Sequence, residues 1–186
     1  MDIYQILITH NRPWSFREIV AFTILFFITS VVLLCLYKAK RIKSTQVIAA
    51  ILLFLFLSVV FASTVFTRTP GIWQYELIPF WSWYEVFVNH SKELLWENLL
   101  NVFLLVPMGI LLKPLFGHKM RPFTAFLLGA AVSAAIEVSQ LIFRRGLFEW
   151  DDMLHNGLGC MLGFMLCSRF GKYKDISSRR ALIIHI

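Results

Sequence analysis

Apolar runs recur along the chain, separated by shorter polar stretches. A helix rises about 1.5 Å per residue and a hydrocarbon core is about 30 Å thick, so roughly 20 apolar residues make a span. Runs at about 19–37, 47–66, 94–112, 122–143 and 153–170 meet that length. They predict an all-α membrane protein, a bundle of about five transmembrane helices. The first run lacks the pattern of a cleaved signal peptide and is expected to remain as an anchor. Before it, the amphipathic piece Ile3 to Ile8 and the residues His10, Arg12, Pro13 and Trp14 predict an interfacial lead-in within residues 1–18. Between the second and third runs, Trp73, Tyr75, Phe80, Trp81, Trp83 and Tyr84 predict a loop at headgroup depth, where Trp and Tyr concentrate. Pro107 predicts a kink in the third span.

Polar residues break this apolar pattern at helical spacing. Gly129, Ser133, Glu137, Gln140 and Arg144 fall on one stripe of the fourth span. Asp152, Asn156, Gly159 and Gly163 repeat the pattern on the fifth, and the spacing predicts two antiparallel helices joined by a short charged turn, with their stripes facing each other. Small residues on both stripes would let the backbones approach. The third span adds Glu97, Asn98 and Asn101 near its start. An ionisable residue within a span is costly and faces the protein interior, where it marks either a site or a structural pairing.

Composition agrees with a polytopic membrane protein: 58% of the 186 residues are hydrophobic and the mean hydropathy is +0.69. A net charge of +7 raises the question of nucleic acid, but the basic residues collect in alternate loops. Twelve of the eighteen Lys and Arg fall in segment 38–46, segment 113–121 and the C-terminal end from Arg169; six fall on the other side. The positive-inside rule therefore predicts the N-terminus outside, the C-terminus in the cytoplasm, and the polar cluster in the outer half of the bilayer. Glu137 lies six residues before Phe143, roughly 9 Å along the helix. Cys35, Cys160 and Cys167 lie in apolar runs without C-x-x-C spacing and read as packing residues.

Two motifs resemble the VanZ-like family of bacterial membrane proteins, named for a protein associated with resistance to the glycopeptide antibiotic teicoplanin. One is Asn101 followed by an apolar run to Pro107-Met108-Gly109. The more specific one is Ser133-x-x-x-Glu137-x-x-Gln140, then Arg145-Gly146-Leu147-Phe148-Glu149-Trp150-Asp151-Asp152, then Asn156-x-x-Gly159-x-x-x-Gly163. Arg68 and Leu77-Ile78-Pro79-Phe80 are also similar to the family's pattern. Glu76 and Glu149 stand where the family often has Asn and Asp. The resemblance covers about residues 68–165 and divides the chain into residues 1–66 with two spans, a VanZ-like domain at 67–170 with the aromatic loop and three spans, and a basic cytoplasmic tail at 171–186. It implies a multi-pass protein of the bacterial cytoplasmic membrane that acts in antibiotic resistance at the cell envelope, and leaves the reaction, if any, open.

The candidate binding residues are Arg68, Asn98, Asn101, Glu137, Gln140, Arg145, Glu149, Asp152 and Asn156. Glu137 either engages a headgroup or a proton, or pairs with Arg68 or Arg145 to hold helices together; both readings stay open. Asp151 and Asp152 at the start of the fifth span suit helix capping better than metal ligation. His155 has no second His at ligand spacing, and no cofactor or metal is expected. Arg68, Arg144 and Arg145 are expected to neutralise the acids, which predicts a metal-free, mixed-charge pocket open to an anionic or zwitterionic headgroup. Three function classes follow. The favoured one is a protective protein that engages a membrane lipid, a lipid-linked cell-wall precursor or a lipoglycopeptide antibiotic. The others are a lipid-headgroup enzyme, with Glu137 or Asp152 as acid or base, and an envelope scaffold without a ligand. Inverted repeats of a transporter and nucleic-acid-binding motifs are not visible in the sequence.

Overall fold

Helices begin where the sequence supplies caps. The computed structural model describes the backbone of residues 13–117 and 120–184, and side chains as far as residue 169. Ser15 accepts from the Glu18 amide while the Glu18 carboxylate accepts from the Ser15 N–H, a reciprocal cap that opens α1 (Phe16–Lys38). In α2 (Ser44–Phe61), Gln46 caps the Lys43 N–H and donates its side-chain amide to the Leu115 carbonyl at 2.8 Å. The expected lead-in from Ile3 to Ile8 and the side chains of the basic tail lie outside the described residues.

Among the described residues, four stretches are long and apolar enough to cross a membrane: Phe16–Lys38, Ser44–Phe66, Lys92–Phe116 and Pro122–Phe143. The last of these is α6 (Pro122–Phe143), and the fifth apolar run lies within α7 (Trp150–Ile184). Helix α7 carries Asp151, His155 and Asn156 buried in its first turns, because other helices and a loop pack around it and supply partners.

Several expectations change in detail. The second span does not end as an α-helix: Ala62–Phe66 forms a π-helical turn, closed by the Thr67 N–H donating to the Ala62 carbonyl at 2.8 Å. The third span is broken rather than kinked. It forms α4 (Lys92–Leu104) and α5 (Val106–Phe116), which meet at Leu105, and Pro107 occupies the first turn of the second piece, where its missing N–H leaves no bond unmade. The fold is also not purely helical. In the turn after α6, Leu147–Glu149 (β2) pairs in parallel with Gln74–Glu76 (β1) of the aromatic loop, with Glu76 opposite Glu149. That loop contains a further helix, α3 (Trp81–Val88).

The two polar stripes meet only in part. Asn156 donates to the Ser133 hydroxyl at 2.9 Å, joining α7 to α6. Gly159 and Gly163 instead face α4 and α5, where an added Cβ would lie 1.7 Å from the Val102 carbonyl oxygen and 2.1 Å from that of Val106. From α5, a Cβ on Gly109 would come within 1.9 Å of the Cys160 carbonyl oxygen. Backbone therefore packs against backbone where α7 meets α4 and α5, with Leu105, Met108, Leu112, Ala125, Cys160 and Phe164 filling the core.

Candidate functional site

At the end of the bundle where α6 joins β2, five segments converge on a cavity of about 100 Å³. Thr64 and Arg68 come from the π-turn and the residues after it, Glu97, Asn101 and Leu104 from α4, and Ile136, Glu137 and Gln140 from α6. Leu147 and Glu149 come from β2, and Asp152 and Asn156 from α7. Seven of the nine residues singled out from the sequence thus share one wall: Arg68, Asn101, Glu137, Gln140, Glu149, Asp152 and Asn156.

Hydrogen bonds fix the carboxyls. Glu137, 2% exposed, accepts the Glu149 backbone N–H at 3.1 Å, which ties β2 to α6. Asp152 accepts from the Asn101 side-chain amide and joins α7 to α4. The Gln140 amide donates to the Thr64 carbonyl at 3.1 Å, taking up an oxygen that the π-turn leaves free. Gly146 gives the wall its shape: at φ 153°, a Cβ there would lie 2.9 Å from the Arg68 guanidinium and 3.0 Å from Gln140 Oε1. Gly146→Ala is expected to shift both side chains and to strain the backbone at this φ, lowering the melting temperature; an unchanged melting temperature would contradict this.

Two candidates lie elsewhere. Asn98 is buried in α4 but does not line the cavity. Arg145 points away from it and donates to the Val65 and Phe66 carbonyls at 3.3 and 2.8 Å. A cation on the open carbonyl end of a helix is favourable, so Arg145 caps the second span from a distance. Arg144 also leaves its stripe: it ends α6 in the left-handed region and its guanidinium carbon lies 3.9 Å from the centre of the Trp73 ring. The expected neutralisation by three arginines is therefore corrected. Arg68 is the single basic side chain among the lining residues, against Glu97, Glu137, Glu149 and Asp152. Arg145→Ala is expected to destabilise the protein by about 1.5–3 kcal/mol, the range for a hydrogen bond to a charged group. A melting temperature equal to wild type would exclude the capping role.

Thr64, Glu97, Leu104, Ile136 and Leu147 also line the cavity and are not among the nine candidates. Glu97 was recoverable, since it lies four residues before Asn101 on one helical face. Thr64 was not, because only the π-turn brings it inward.

Neighbouring acids play a different part. Asp151, 1% exposed, accepts from the Phe80 N–H at 2.6 Å, the Ser82 N–H at 3.3 Å and the Ser82 hydroxyl at 2.6 Å. It caps α3 and not its own helix, which corrects the expected role. One turn on, His155 Nε2 accepts from Trp83 Nε1 at 2.8 Å, so one face of α7 fastens the aromatic loop while Asp152 and Asn156 face the cavity.

Glu149 lies in β2, between the helices, and is 7% exposed. Burial, and then the nearby Asp152, Glu97, Asp151 and Glu76 carboxylates, push its pKa from 4.5 up to about 8. The folded state holds this proton more tightly than the unfolded chain does. Its contribution to stability is fully present below about 4.5 and is lost as the pH rises through about 8. The melting temperature is expected to fall across that window, and Glu149→Gln to flatten the fall. A wild-type profile already flat there would contradict the buried, protonated carboxyl.

A model of the VanZ/LLP1 family matches residues 44–171, which includes every lining residue of the cavity. No curated protein and no solved structure matches the chain.

Proposed function

The chain belongs to the VanZ/LLP1 family, and on that premise we propose that it is a five-span protein of the bacterial cytoplasmic membrane whose cavity engages the polar headgroup of an envelope amphiphile. The N-terminus lies outside and the C-terminus in the cytoplasm, as the basic residues suggest, so the cavity opens near the outer surface. Occupation of this site by a membrane lipid or a lipid-linked wall precursor reduces the action of lipoglycopeptides of the teicoplanin class. The observation that carries the reading is the convergence of eight charged or amide side chains from distant parts of the chain on one cavity. Its volume of about 100 Å³ favours a headgroup over a whole antibiotic, because pockets for drug-sized ligands measure about 300–1,000 Å³.

Glu137→Gln tests this reading. The substitution keeps size and can still accept from the Glu149 N–H, so folding should be retained. Protection of cells against a teicoplanin-class drug is expected to be lost at equal amounts of protein in the membrane. Full protection by the variant would remove the Glu137 charge from the mechanism. The orientation is tested separately: a Cys at Ser91 should react with an impermeant thiol reagent and one at Ser177 should not. The reverse labelling would move the cavity to the cytoplasmic side.

A further inference from the structure

The ligand chemistry follows from which hydrogen-bonding groups the protein has already committed. Asn101 donates its amide to Asp152, Gln140 donates to the Thr64 carbonyl, and Asn156 donates to the Ser133 hydroxyl. Each of the three amides commits an N–H to the protein, which leaves a carbonyl oxygen available to a guest. One of these oxygens is unanswered: Asn156 is 3% exposed, lines the cavity, and its Oδ1 has no hydrogen-bond partner. A buried acceptor left in this state is costly, and a ligand that donates to it would recover that cost. Glu97, Glu137 and Asp152 stand around the same space beside the protonated Glu149, with Arg68 as the one basic side chain among the lining residues. Acceptors in excess and a surplus of acid select a donor that is cationic.

We infer that the cavity recognises a protonated primary amine, such as that of an ethanolamine-type headgroup, with Asn156 Oδ1 accepting one N–H and the Asp152 and Glu137 carboxyls facing its charge. The inference rests on the headgroup reading and narrows it to one chemistry. The phosphate esterified to the ethanolamine oxygen would fall to Arg68, whose guanidinium suits it. An anionic headgroup without an amine brings no positive charge to face the carboxyls, and a trimethylammonium carries the charge without an N–H.

The test uses the full chain in nanodiscs and compares phosphatidylethanolamine, phosphatidylcholine and phosphatidylglycerol by native mass spectrometry of retained lipid. Phosphatidylethanolamine and phosphatidylcholine have the same net charge and differ in N–H donors, so at least tenfold greater retention of the former is expected. Asn156→Leu is expected to abolish the difference, and Asn156→Asp, which restores an acceptor, to keep it. Equal retention of ethanolamine and choline lipids, or strongest retention of phosphatidylglycerol, would overturn the inference while leaving a headgroup site in place. Retention of no lipid, with no effect of soluble ethanolamine on the melting temperature, would overturn both. Stabilisation by soluble ethanolamine without lipid retention would support the amine chemistry and assign it to a free amine.

Discussion

Gly159→Leu is expected to leave little folded protein in the membrane. A Cβ at this position alone would lie 1.7 Å from the Val102 carbonyl oxygen, and the obstacle is backbone belonging to α4. Overpacking in a core that can adjust costs about 1–3 kcal/mol. A helix axis held by Gly163 one turn further and by Gly109 on α5 has little room to adjust, so the cost should exceed that range. Gly71→Ala provides the control, since a Cβ there meets only the Arg144 carbonyl oxygen at 3.9 Å. Membrane abundance and thermal unfolding in detergent would measure both variants. Wild-type behaviour of Gly159→Leu would mean that α7 does not sit against α4 as described.

Asp151→Ala is expected to release α3 and the aromatic loop from the bundle. Three donors, the Phe80 and Ser82 N–H groups and the Ser82 hydroxyl, would lose a buried carboxylate acceptor. Hydrogen bonds to charged groups contribute about 1.5–3 kcal/mol each, but as a network they do not add fully, so a loss of about 3–5 kcal/mol is expected. Faster amide exchange confined to residues 78–90 would report the release. The Trp83–His155 contact should weaken with it, because the same helix carries both anchors. Exchange unchanged in that segment would show that α3 is held by its apolar contacts alone.

These two cases mark where reading the chain succeeded and where it stopped. The Gly159-x-x-x-Gly163 spacing announced a close helix contact, but a stripe of small residues does not name its partner. The partner proved to be α4 and α5, because α7 lies between them and α6 and uses a different face for each. Asp151 and Asp152 are adjacent in sequence and alike in chemistry. A helix turns about 100° per residue, so one points to the loop and the other to the cavity. Arg145 looked like a site residue for the same reason as Arg68, since both are cations beside acids. The open carbonyls after the π-turn drew it elsewhere.

Hydrophobic length and helical period are local properties of the chain, so the runs long enough to cross a membrane and seven polar residues of the cavity were legible without the fold. The tertiary structure alone decided the break at Leu105, the π-turn that admits Thr64, the parallel strand pair that carries Glu149, and which acids face the cavity. Each of these depends on which unpaired backbone group or small residue a distant segment presents, and that is settled only when the helices pack.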